Sequence, residues 1–153
     1  MNTTLSAASL AAWRNLITAH AVLIEQIDRD LATAECIPLH WYDVLVELLE
    51  APEQRLRMSE LARRVVLSRS TLTHLAARLE HEGLLRRERV DTDRRGAYAT
   101  LTDKGREAMR KAWPVYAQGI AGYFAAHLSE AEAAQLRDLL SRVLLVSRPS
   151  PDE

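Results

Sequence analysis

The stretch DTDRRGAYATLTDKG, residues 91–105, decides the fold. Residues 91–96 mix acid, base and glycine, the composition of a turn. After them Ala97, Ala99 and Leu101 alternate with Tyr98, Thr100 and Thr102, the period of a half-buried strand. Thr102 or Asp103 then offers a side-chain cap to a following helix. Residues 84–90 are also strand-like, so a two-stranded hairpin is predicted with Arg94 and Arg95 at its tip. Just upstream lies MSELARRVVLSRSTLTHLAARLEHEGLL, residues 58–85. It reads as a short helix over 59–66 with Leu61 and Val65 inward, a turn at Leu67 and Ser68, and a second helix over 70–81. Ser68 or Ser70 caps that second helix and Gly83 stops it. Its buried stripe is Leu72, Leu75 and Leu79, which leaves Ser70, Thr71, Thr73, His74 and Arg78 outward. Two helices followed by a charged hairpin form a winged helix-turn-helix pattern.

That pattern points to DNA. A helix fits the major groove, and residues near its N-terminus reach the base edges. Here these are Ser68, Arg69, Ser70, Thr71, Thr73 and His74. Arg69 suits guanine, the hydroxyls suit bases or phosphates, and threonine also offers a methyl to thymine. Arg78, further along, is expected to meet phosphate or brace the wing. Arg94 and Arg95 are expected to enter the minor groove, with Asp93 holding an arginine by a charge-assisted bond. The plain alternative is a surface helix with a solvated polar face and a turn with a local ion pair.

The remainder of the chain is helical. Trp13, Leu16, Ile17, His20, Leu23, Ile24, Ile27 and Leu31 recur at helical spacing over residues 6–32. Ile37–Pro38 breaks this helix, and a second runs over 39–50. A long helix after the hairpin reaches about residue 124, with a kink or break expected at Pro114. A last helix starts at Ser129, where Ser129 and Glu132 make a capping box. The expected fold is mainly α with a small β-hairpin wing: a winged helix-turn-helix over residues 37–102, flanked by dimerisation helices over 1–36 and 103–147. Residues 148–153, SRPSPDE less its first serine, are expected to be a disordered tail.

With these motifs in place, the chain resembles the MarR family of bacterial transcription regulators, over roughly residues 10–145. The strongest parts are SELARRVVLSRSTLTHLAARLEHEGLLRR and the wing signature, Asp93-Arg94-Arg95 followed by the strand, Leu101-Thr102 and Gly105. The resemblance implies a homodimer with interlocked end helices that binds a near-palindromic double-stranded operator. It also implies action usually as a repressor, and release by a small ligand or an oxidant. Arg94 or Arg95 is then the minor-groove residue. His74 stands where many relatives carry another residue, so a base preference does not carry over. An aromatic or anionic effector would lie between the end helices and the winged unit, and Trp13, Arg14, His40, Trp41 and Tyr42 are the candidates for lining that cleft. The same tryptophans would also serve as core or dimer anchors. Oxidant-sensing relatives carry their cysteine near the start of the first helix. Cys36 lies past its end, beside Glu35, whose charge raises a thiol pKa.

Charge supports the middle of the chain as the binding part. Of 20 Lys/Arg and 21 Asp/Glu overall, 15 basic and 9 acidic residues lie between positions 53 and 111, a net of +6 against −7 elsewhere. Phosphate responds to the local face rather than the total. One cysteine excludes an internal disulfide, and the N-terminus lacks a basic lead and apolar run, so a cytoplasmic protein is expected. No stretch is expected to span a membrane. The five histidines and Cys36 form no tight ligand pair, so no metal or other cofactor is expected. No G-x-S-x-G, phosphate-cradling glycine loop or H-E-x-x-H is present, which argues against an enzyme and leaves no catalytic residue to name. The remaining rivals are a cysteine-based redox regulator of the same fold and a winged-helix module that docks proteins.

Overall fold

Leucines from four elements meet in one core. Leu39, Leu45, Leu48, Leu61, Leu72, Leu79 and Leu85 are all fully buried, each contributing about 1.5–3 kcal/mol relative to exposure. The computed structural model describes residues 4–90 and 93–147, with the side chains of residues 90, 93–95 and 147 left aside. The elements are α1 (Ala7–Thr33), α2 (Leu39–Glu50), a tight turn (Pro52–Gln54), β1 (Arg55–Arg57), α3 (Met58–Arg64), α4 (Arg69–His81), β2 (Leu85–Val90), β3 (Asp93–Leu101), α5 (Asp103–Gly119) and α6 (Glu130–Ser147). A π-helical turn, Ile120–Phe124, and a 3-10 turn, Ala125–His127, join the last two helices. The expected mainly helical fold with a winged helix-turn-helix is therefore present. The expected tail, residues 148–153, lies outside the described residues.

The wing differs from its sequence reading in two ways. It is one edge of a three-stranded antiparallel sheet, ordered β1-β3-β2. The sequence hides β1 because three residues are too few to show an alternation. The strand forms because β3 has a second edge to satisfy, and Leu56 pairs opposite the fully buried Ala99. Secondly, β3 begins at Asp93, and Val90 pairs with Asp93 across a register irregularity. Arg94 and Arg95 thus lie in the strand beside the turn rather than in the turn itself.

Helix ends follow the caps. Ser68 accepts a hydrogen bond from the Thr71 amide, so it, rather than Ser70, starts α4. Thr102 does the same for α5 through Gly105. Ser129 and Glu132 exchange the two bonds of a capping box at the start of α6. Helix α3 is shorter than its apolar pattern implies. It ends at Arg64, Val65 is only half-buried, and Val66 takes a φ of 56°. Helix α5 runs through Pro114 without interruption, and the departure from α geometry comes at the π turn instead.

The end helices pack on each other only partly. Gly119 of α5 sits so close to α1 that a Cβ there would lie 2.9 Å from Ile27 Cγ1. Lys111 Nζ donates to the Glu35 carbonyl at 2.8 Å, and the Tyr123 hydroxyl donates to Asp30 Oδ2 at 2.7 Å. Yet Trp13, Leu16, Ile17, Val143, Leu144 and Leu145 remain exposed. Helix α1 is also long and apolar enough to cross a membrane by length and composition. Arg14 is the one charge in residues 7–24, and a single helix of this kind is also what a packed helix of a non-membrane protein presents.

One junction ties the winged unit to α5. Thr102 Oγ1 donates to the Gly83 carbonyl at 2.6 Å, and the Thr102 amide donates to the Leu84 carbonyl at 3.3 Å. Gly105 is packed there, and a Cβ on it would collide with the Leu84 carbonyl oxygen and come within 2.7 Å of Leu101 Cδ1. Gly105→Ala is therefore expected to destabilise the protein by about 2–3 kcal/mol. Chemical denaturation of the two proteins checks this, and an unchanged midpoint would contradict the packing described.

Candidate nucleic-acid interface

Helix α4 presents a polar face at its N-terminal end. Ser68, Arg69, Ser70, Thr71, Thr73, His74 and Arg78 are all exposed, as expected, while Leu72, Leu75, Ala76 and Leu79 anchor the opposite face. The hydroxyls are organised locally. Ser68 Oγ lies 2.8 Å from Thr71 Oγ1 and 3.1 Å from Ser70 Oγ, and Thr73 Oγ1 donates to the Arg69 carbonyl at 2.7 Å. Arg69 occupies the first helical position, and the first turn contains no acid. A cation there opposes the helix dipole. Among the described residues Arg69 has no ion-pair partner, so its charge does not serve the fold.

Arg78 is exposed and contacts α2 rather than the wing. Its guanidinium lies 5.5 Å from the Trp41 ring on α2, so it braces α4 against α2. The wing is held by Glu80 and Arg87. Glu80 Oε1 accepts the Arg87 amide and Oε2 the Arg87 Nε, both at 2.8 Å. Since β2 is an edge strand, that amide has no strand partner, and the carboxylate satisfies it. This backbone bond, aided by the guanidinium, holds the Glu80 carboxyl below its usual pKa.

The outward face of the sheet is cationic in a way the sequence did not signal. The Tyr98 ring packs with Arg55, 4.1 Å from its centroid, and with Arg57, 5.3 Å away, and Arg55 also pairs with Glu88 at 3.7 Å. Register brings them together, since Arg57 pairs with Tyr98 and Arg55 with Thr100. At the base of the sheet a cavity of about 220 Å³ is lined by Arg86, Thr100, Leu101, Thr102, Asp103 and Arg106. Both arginines are already matched: Arg86 by Glu88 at 2.8 Å, Arg106 by Asp103 and Gln54. The side chains of Asp93, Arg94 and Arg95 lie outside the described residues, so the expected brace by Asp93 does too; their backbone extends β3 beside the turn.

The suggested effector residues separate into groups. Tyr42 is buried and stacks edge-to-face on Tyr116 at 5.3 Å, which makes it core. His40 and Trp41 meet edge-to-face at 6.4 Å. Trp41 Nε1 is buried and has no hydrogen-bond partner among the described residues. Trp13 and Arg14 lie on the exposed part of α1. The Cys36 thiol is partly buried, 3.6 and 3.7 Å from the carbonyls of Ala34 and Lys111.

A winged helix-turn-helix with a polar, cation-tipped recognition helix is the class this arrangement defines. Comparison with known proteins narrows it. The model of the MarR family matches residues 37–96. Sco3205 of Streptomyces coelicolor, a MarR family transcriptional regulator solved in complex with DNA, is 35% identical with a TM-score of 0.89, over 98% of this chain and 94% of that one. PcaV of the same organism, solved with its natural ligand, is 30% identical with a TM-score of 0.69, over 94% and 95% of the two chains. The HTH-type transcriptional regulator YkoM of Bacillus subtilis is 37% identical over 86 residues, 56% of this chain. The chain spans about half the length of the curated relatives it matches. It belongs to the MarR family, as its motifs implied.

Glu80→Ala is expected to cost about 1 kcal/mol at neutral pH, because it strands the Arg87 amide. A carboxyl with a lowered folded-state pKa contributes stability above its unfolded value, near 4.3, and loses it as pH falls through the folded value. The difference between wild type and variant should therefore be constant above about pH 5 and shrink below about pH 4. A difference independent of pH down to pH 2 would remove the carboxylate from the account.

Proposed function

We propose that the protein is a sequence-specific transcription regulator that binds a near-palindromic DNA operator as a cytoplasmic homodimer, acts as a repressor, and is released by a small effector. The observation that carries this is Arg69, a cation at the unfavourable end of α4 with no partner among the described residues, set among the exposed hydroxyls of Ser68, Ser70, Thr71 and Thr73. A protein-docking face would more often be apolar. The DNA complex of Sco3205 supports the same reading. Arg94 and Arg95, beside the wing turn, supply the minor-groove contact. The exposed apolar faces of α1 and α6 support a dimer, since each has a stripe that one subunit leaves uncovered.

The effector site we place at the junction of α2 and α4. The exposed Arg78 guanidinium over the Trp41 ring supports an aromatic or other small carboxylate, which would pair with Arg78; the enclosed, unpartnered Trp41 Nε1–H would donate only after the ring turns. Binding there would act directly on the helix that reads DNA. The natural ligand of PcaV supports a small molecule as the signal.

Selection of bound sequences from a random duplex pool is expected to enrich a palindrome with half-sites about 10 base pairs apart. Arg69→Ala should weaken binding by about 1–3 kcal/mol and relax one base position. Arg94→Ala with Arg95→Ala should weaken binding and flatten its salt dependence, leaving the dimer intact by sedimentation. Binding unaffected by the double change would remove the wing from the interface.

A further inference from the structure

Three helices of this chain share one cap bond, from an amide to the carbonyl five residues before it. At the end of α1, the Glu35 amide donates to the Ala32 carbonyl and the Cys36 amide to the Leu31 carbonyl. At the end of α4, the Gly83 amide donates to Glu80 and the Leu84 amide to Leu79. At the end of α3, the Leu67 amide donates to the Ala62 carbonyl. In each case the residue after the last helical turn is left-handed: Glu35 at 53°, Gly83 at 74° and Val66 at 56°. Glycine is the usual occupant, because a Cβ there crowds the backbone. Glutamate is unbranched at Cβ and bears this more easily. Valine is the least suited of the three, since β-branched residues at positive φ are outliers.

The left-handed turn closes the cap bond from the Leu67 amide, but a glycine would serve that bond as well. Val66 is 78% exposed, so its side chain adds little to the core. Between β1 and β3 it is the one large hydrophobic residue so exposed among the described residues. A strained residue without a structural return is a sign of function. Its position identifies the function. Val66 lies two residues before the N-cap Ser68, at most about 7 Å along the chain from it. It therefore stands at the end of α4 that carries Arg69, Ser70, Thr73 and His74.

We propose that Val66 is an operator-contact residue, which the turn holds outward to meet a thymine methyl at the edge of the half-site read by α4. This rests on the DNA-binding reading above. An isopropyl group has no hydrogen bond to offer, and the C5-methyl of thymine is the one apolar group on a base edge in the major groove. The contact adds apolar selectivity beside the polar readers of the helix, and the cost of the left-handed valine is recovered only in the complex.

The test compares wild type with Val66→Gly on the selected operator and on duplexes with single thymines replaced by deoxyuridine, which deletes only the methyl. Val66→Gly is expected to fold normally with a Tm raised by about 2–4 °C. It should bind the operator about three- to tenfold more weakly. For wild type, one thymine in each half-site should give the same loss when its methyl is removed, and for Val66→Gly that removal should have no further effect. Equal affinity and equal base preference in the two proteins would overturn the proposal. So would a Val66→Gly protein less stable than wild type, since the valine would then serve the fold. A wild type that enriches no DNA sequence would overturn the DNA-binding reading itself, and this inference with it.

Discussion

The contact on which the arrangement depends is the one between Thr102 and the end of the recognition helix. Through one hydroxyl, Thr102 donates to the Gly83 carbonyl and accepts from the Gly105 amide. The end of α4, the end of β3 and the start of α5 therefore meet in a single hydrogen-bonded knot. Gly105 is the residue that lets them approach, since the Leu84 carbonyl takes the space of a side chain. Without the knot, the winged unit and the long helix that leaves it would have no fixed angle. On the proposed reading of a dimeric DNA reader that angle matters, because the spacing of two recognition helices sets the half-sites accepted.

Within the winged unit, a second link fixes the wing to α4. Glu80 lies on α4 and Arg87 on the edge strand β2, and their paired bonds leave the strand's amide satisfied on the helix side. Arg78 performs a related task on the opposite side by lying over Trp41 of α2. The helix is thus held at one side by a carboxylate and at the other by an aromatic ring, and its N-terminal end projects between them. At that end the hydroxyls of Ser68, Ser70, Thr71 and Thr73 bond only locally, and Arg69 has no ion-pair partner among the described residues.

How much of this could be read from sequence follows from the range of each interaction. Caps are local, and Ser68, Thr102, Gly83 and the Ser129–Glu132 box were legible because each acts within a few residues of itself. Strand β3 was legible by its alternation, although its start at Asp93 was not, because pairing with Val90 extends it into residues that read as a turn. Strand β1 was invisible, since three residues acquire a pattern only when Thr100, Ala99 and Tyr98 lie beside them. The Arg55–Tyr98–Arg57 stack and the Glu80–Arg87 brace depend on that register or on helix-to-strand docking. The outward face of α4 was legible because an amphipathic helix separates its own faces. The effector candidates were not separable, because Tyr42 faces Tyr116 across the core while Trp41, its neighbour, faces Arg78.

The same geometry constrains how a signal would reach DNA. Because α4, the wing and α5 share the Thr102 knot and the Glu80 brace, a ligand that displaces Trp41 or Arg78 cannot shift the recognition helix without also moving the hairpin. The winged unit would respond as a block together with the start of α5, to which the Thr102 knot fixes it. On the proposed reading, regulation then changes the separation of two rigid readers and leaves each reader's own surface unchanged. An effector acting this way would weaken all operators of the native spacing together. The bases preferred within a half-site would stay the same, because the residues that read them ride on a helix whose internal contacts are not altered.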